Sequence, residues 1–181
     1  MKPLKYLAQF LLLAGVLLGL DSCYKHYLIT IGISKALADY YNIYPSIEVD
    51  ITAVPSSMAD EIKTAGVESY FAPDSRLRVE AAPYTVRFSE EITAPVTLTY
   101  RELGWRKWVK KKPDKLVLLV NLPYSAEMKS ADGRILTIDI KERFIQWQDI
   151  YFEIGPKQIA EVPEKPVDPR RARSNIIPTN K

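Results

Sequence analysis

The chain is 181 residues long, with 25 Lys and Arg against 22 Asp and Glu, a single Cys and a single His. A formal charge of only +3 carries no chain-wide footprint for nucleic acid, and one thiol excludes a disulfide within the chain. The lone histidine, His26, lies ahead of the region read below as the folded domain, so no Cys–His or Ser–His–Asp set and no zinc-type cluster forms there. No glycine-rich phosphate loop occurs either, so neither an enzyme nor a cofactor is expected.

Lys2 and Lys5 precede an apolar run from Tyr6 to Leu20, which Leu20-Asp21-Ser22-Cys23 closes. Positive start, apolar core and small residue before a cut follow the order of a secretory signal peptide. The run is short for a bilayer span of roughly 20 residues. With cysteine at the cut, the segment resembles the lipobox of bacterial lipoproteins, with Asp21 as its departure. That resemblance implies a signal peptide over 1–22 and a mature chain that begins at lipid-modified Cys23. Tyr24 follows where an aspartate would retain such a protein at the inner membrane, which implies an outer-membrane address facing the periplasm. With Lys2, Lys5 and Asp21 set aside, the charge totals become 23 basic and 21 acidic residues in about 159, a length sufficient for one domain with a core.

Residues 23–45 read as a lipidated tether rich in tyrosine, with a helix over 29–41 suggested by Leu28, Ile31, Ala36, Leu37 and Tyr40. Residues 46–162 read as a domain of short strands. Ile47, Val49, Ile51 and Ala53 alternate with polar residues as in a half-buried strand. Ser57-Met-Ala-Asp60 has the spacing of a capping box and predicts a helix from there to about Gly66, with a further turn over 67–71. Strands are predicted at 84–88 and 96–100. The unbroken apolar run Leu116 to Val120 marks a central strand buried on both faces. Asp132-Gly133 predicts a hairpin between 124–129 and 134–140, and 148–154 a last strand, ended by Gly155-Pro156. The sum is a mainly β fold, a small transthyretin- or immunoglobulin-like sandwich with a short helical insertion after its first strand.

Residues 163–181 hold Pro163, Pro166, Pro169 and Pro178 with Arg170, Arg171 and Arg173, and read as a disordered basic tail. The most distinctive surface candidate is Trp105-Arg-Lys-Trp-Val-Lys-Lys-Lys112, with Trp105 and Trp108 one helical turn apart. It fits a membrane-surface patch through Lys110, Lys111 and Lys112, a protein contact through the tryptophans, or tryptophans that plug the sandwich end beneath wet lysines. Acid pairs at Asp60 with Glu61, Glu90 with Glu91 and Asp139 with Glu142 read as solvated charge.

Taken together, the lipobox, the strand at 46–54, the helix at 57–65 with its following turn, and the strands at 116–120 and 151–154 resemble the outer-membrane lipoprotein of type VI secretion systems, the TssJ family. The resemblance implies a structural role. The lipid would fix a sandwich to the outer membrane, and its loops would bind the periplasmic domain of a TssM-like inner-membrane core protein. Contact candidates are the loop between the first strands, including Pro55, Ser56 and Ser57, together with Trp105 and Trp108. The alternative is a lipoprotein that binds peptidoglycan, anionic lipid or another ligand through its basic segments.

Overall fold

The computed structural model describes residues 28–99, 107–108, 110–123, 132–140 and 149–171. In chain order these form β1 (Ile29–Ile33), α1 (Lys35–Tyr41), β2 (Ile47–Val54), α2 (Ser56–Tyr70), α3 (Arg76–Ala81), β3 (Tyr84–Phe88), β4 (Val96–Leu98), β5 (Lys115–Val120), β6 (Ile135–Asp139), β7 (Ile150–Ile154) and β8 (Ile159–Val162). They build a sandwich of two four-stranded sheets, ordered β4-β1-β7-β8 and β3-β2-β5-β6. The β1–β7 pair is parallel and the other pairs are antiparallel.

Alternation explains the core between the sheets. Ile29, Ile31 and Ile33 of β1 point inward to meet Val49, Ile51 and Ala53 of β2 and Leu116, Leu118 and Val120 of β5. The opposite face of β5 supplies Val117 and Leu119 to a second cluster with Ile62, Tyr70 and Ala81 of the helices. The central strand is thus buried on both faces, as its apolar run predicts.

Several sequence expectations are corrected. The helix expected over 29–41 is a strand followed by a helix, and β1 belongs to the folded unit, which therefore begins well before residue 46. The period of two in Ile-Thr-Ile-Gly-Ile outweighed the looser helical spacing. α1 starts only at Lys35, where the Ser34 hydroxyl accepts from the Leu37 amide at 3.2 Å, and it ends on left-handed Asn42. The helical insertion follows the strand at 47–54 as expected, but that strand is the chain's second. Its capping box does not form: the cap is Pro55, without a side-chain bond, and Ser57 lies in the first turn. Gly66, at φ 77, interrupts α2 and is a position where a left-handed backbone favours glycine. The β2 strand is not half-buried, because α2 and α3 cover its polar side. There the buried Asp50 carboxylate accepts from Arg78 at 2.7 Å and from Thr85 at 2.6 Å, while the Thr52 hydroxyl donates to the Ala81 carbonyl at 2.7 Å.

β6 pairs with β5 in antiparallel register, and the first arm of the hairpin expected across Asp132-Gly133, residues 124–129, lies outside the described residues. β7 is not the last strand, since Gly155 bonds back to Gln158 and turns the chain into β8. Nor does the tail begin disordered at 163. Residues 163–171 form a strap over the outer face of β1, with Pro166 and Pro169 buried. A Cβ on Gly32 would lie 2.5 Å from the Pro166 Cβ, so a residue without a side chain lets the strap close on the sheet. Asp168 then accepts from Thr93 at 2.8 Å, and Arg170 reaches Glu90 at 2.7 Å.

The strand registers define two ends. At one, here the far end, β1 and β7 finish and β2 begins: the Ile159 amide bonds the Gly133 carbonyl at 2.9 Å across the sheets, and the Tyr41 hydroxyl donates to the Pro156 carbonyl. At the other, the near end, the chain enters β1 at Leu28, whose carbonyl accepts from Ile150 at 2.9 Å. β2 leaves there into α2, and β5 starts there.

Candidate partner-binding and anchoring ends

At the far end, α1 delivers Tyr40, Ile43 and Tyr44 to the entrance of β2. The Tyr44 amide donates to Glu90 Oε2 at 2.9 Å, which ties this segment to the β3–β4 loop. Arg170 of the strap completes the group: its guanidinium pairs with Glu90 at 2.7 Å, also donates to the Glu90 carbonyl, and lies 5.5 Å from the Tyr44 ring centroid. The Tyr44 amide, and then Arg170, hold the Glu90 carboxyl below its usual range. Ala38, Asp39, Asn42, Ile43, Tyr44, Glu90 and Arg170 line an open cleft of about 650 Å³. Ile43 in its lining is more than half exposed, as are Tyr40 of α1 and Ile92 of the β3–β4 loop. Lys157 stands 5.5 Å over the Tyr40 ring. Among these residues no nucleophile is paired with a base. Aromatic, aliphatic and arginine side chains in one shallow cleft instead suit protein contact.

The near end gathers several residues singled out in the sequence. Pro55 caps α2, and the half-buried Ser56 donates to Asp114 at 2.8 Å, while Ser57 is exposed. Trp108 is 1 % exposed, and its indole N–H donates to the Ala82 carbonyl at 3.2 Å. Of the readings open in the sequence, Trp108 takes the core plug and not the surface contact, because its large apolar area is buried in the core between the sheets. Lys107, Lys110, Lys111 and Lys112 are exposed around it. The Lys111 amide bonds the Trp108 carbonyl at 2.8 Å and its ammonium donates to the Glu80 carbonyl. Trp105 and Cys23 lie outside the described residues, as does the segment read as a signal peptide.

A third polar cluster braces the fold. Arg134, 1 % exposed, pairs with Asp132 and Glu68 at 2.7 Å each and donates to the Leu122 carbonyl at 2.9 Å. Its hydrogen bonds hold both carboxyls below their usual ranges. Glu48 is lowered likewise by Arg87 and Arg78. Of the acid pairs noted in the sequence, Glu90 is bound to Arg170 and Asp139 to Lys115 at 2.7 Å. Among the described residues, no group of three His, Cys, Asp or Glu is placed to hold a metal ion.

No protein-family model matches the sequence, and no curated protein matches it. Solved structures do. A type VI membrane complex chain superposes with a TM-score of 0.54 at 12 % identity, over 77 % of this chain and 98 % of its own. The C-terminal domain of the type VI protein TssM from EAEC gives 0.53 at 10 % identity, over 75 % and 99 %. What this chain shares with these two structures is the fold. A type VI secretion lipoprotein from Pseudomonas aeruginosa is also similar, at 10 % identity and a TM-score of 0.46 over 78 % of this chain and 98 % of that one. At that superposition it adds no weight to the fold assignment.

The far-end cleft was missed in the sequence because its parts come from 38–44, 90 and 170. Only the tyrosine-rich stretch around Tyr40 to Tyr44 signalled it, and that stretch was read as tether.

Proposed function

We propose that this chain is a lipid-anchored structural component of a type VI-like secretion membrane complex. Cys23 carries the lipid, the sandwich stands on the periplasmic face of the outer membrane, and its far end binds the periplasmic domain of a TssM-like inner-membrane core protein. The observation that carries the reading is the polarity of the sandwich. The chain from the cysteine enters at Leu28, and the exposed Tyr40, Ile43 and Ile92 lie at the opposite end. An anchor at one end and exposed apolar side chains at the other is the arrangement a bridging subunit needs. The shared fold with type VI proteins supports the same reading.

The loop between the first two strands was the contact implied by family resemblance. With β1 at Ile29–Ile33 that loop is 34–46, and the contact belongs to Tyr40, Ile43 and Tyr44. Pro55, Ser56 and Ser57 fall at the near end with Lys110 to Lys112, on the side of the anchor.

The test is titration calorimetry of the chain from Tyr24 onward, which keeps every described residue, against the periplasmic domain of the core protein from the same organism. Ile43→Asp is expected to weaken binding by about 2 kcal/mol, roughly thirtyfold, as at an interface hot spot. A folded wild type that does not bind, or an Ile43→Asp variant that binds equally well, would overturn the proposal.

A further inference from the structure

We propose that the near end is a membrane-contacting surface, in which Lys107, Lys110, Lys111 and Lys112 engage anionic phospholipid headgroups of the leaflet that holds the anchor. Two independent observations meet here, chain reach and charge. Four residues separate Cys23 from Leu28, and the five steps between them, at roughly 3.5 Å each, span at most about 17 Å. An acylated Cys23 therefore keeps the start of β1 within that distance of the bilayer surface, a step that rests on the lipid-anchor reading above.

The lysines are at that same end. β4 finishes at Leu98, paired with Ile29 at the chain's entry, and the connection that follows carries the lysines into β5. Trp108 acts as a rivet: its buried indole, bonded to Ala82, and the Trp108–Lys111 turn fix the backbone from which the ammonium groups project. Lys112 adopts a left-handed backbone at φ 50, which reverses the chain directly after the cluster. A preset turn loses less conformational freedom on binding than a flexible basic tail.

Among the described residues, no ion pair ties Lys107, Lys110 or Lys112. The acids of the neighbouring elements are engaged elsewhere: Glu80 with Arg76 at 2.7 Å, Asp139 with Lys115 at 2.7 Å, and Asp114 with the Ser56 hydroxyl at 2.8 Å. Asp60 and Glu61, exposed on α2, and Asp149, exposed just before β7, are opposing charges at this end. Four exposed ammonium groups spread along one turn suit a two-dimensional array of headgroups and not a single small anion. Basic residues at an anionic bilayer each raise binding roughly fivefold, an effect that fades within a Debye length.

The test uses the chain from Tyr24 without lipid and measures co-sedimentation with vesicles of phosphatidylglycerol and phosphatidylethanolamine, or of phosphatidylcholine alone. Expected are binding to the anionic vesicles only, release in 0.5 M salt, and a loss of roughly a hundredfold in K110Q/K111Q/K112Q. Lys165→Gln, on the strap, is expected to bind as wild type, and circular dichroism checks that each variant is folded. Equal binding to neutral vesicles, insensitivity to salt, an unaffected triple variant, or retention on insoluble peptidoglycan with none on vesicles would overturn the inference. Mass spectrometry of Cys23 in the full chain from membranes separates this outcome from the anchor reading. An unmodified cysteine defeats the anchor and leaves the vesicle result standing, whereas an acylated cysteine with no vesicle binding defeats only the surface.

Discussion

Replacing Trp108 with alanine separates a core plug from a surface contact. The side chain is 1 % exposed and lies in the main core with Leu98, Ile140 and Ile150. Removing it forfeits the burial of a large aromatic and leaves a cavity, a loss of about 3–5 kcal/mol for such a position. Trp108→Phe keeps most of the volume and removes the indole bond to the Ala82 carbonyl, so the expected loss is nearer 1 kcal/mol. In a domain of this size each kcal/mol shifts Tm by about 2–4 °C, which makes the alanine variant roughly 10 °C less stable. Urea unfolding followed by far-UV circular dichroism measures the free energies, with unchanged m-values as the check on two-state behaviour. At a temperature where both proteins are folded, Trp108→Ala is expected to bind the core-protein domain as wild type does, since the far end is untouched. An alanine variant within 1 kcal/mol of wild type, with partner binding lost, would refute the plug and restore Trp108 as a contact.

Further outcomes follow from the strap and the buried arginine. In Gly32→Val the new side chain collides with the Pro166 ring, so the strap lifts: trypsin is expected to cut at Arg170 and Arg171 sooner than in wild type, with about 1–3 kcal/mol of stability lost. Asp132→Ala removes from the buried Arg134 a carboxylate held at 2.7 Å, at an expected cost of about 3 kcal/mol in urea unfolding. Because the Asp132 and Glu68 carboxyls are held below their ordinary values, their contribution is complete above the unfolded-state range. It disappears as pH falls through the ordinary carboxylate range and on through the lowered folded values. Thermal scans should therefore show Tm falling between about pH 5 and pH 3, with a shallower fall in Asp132→Asn.

The parts of the fold legible in the sequence were those with one strong local period. The run Leu116 to Val120 and the alternation from Ile47 to Ala53 each fixed a strand without tertiary help. What failed was what depends on distant partners. β1 looked helical because Lys35–Tyr41 beyond it is helical, and nothing local reveals that Ile29–Ile33 pairs in parallel with a strand some 120 residues later. The strap has the composition of a disordered tail, and its order comes from Gly32, Thr93 and Glu90. The buried Asp50 and Arg134 were likewise invisible, since each is tolerated only through partners brought in by other elements. For the far-end cleft, sequence offered tyrosines and a late arginine, and only folding placed Arg170 over Tyr44.

The most direct measurement places a photo-activated cross-linking residue at Ile43 or at Lys112 in the full chain, in cells, and identifies the adducts by mass spectrometry. Position 43 is expected to capture the periplasmic domain of an inner-membrane secretion core protein, and position 112 phospholipid with no protein partner. A protein adduct at 112 with none at 43 would contradict the proposed orientation and the bridging role with it.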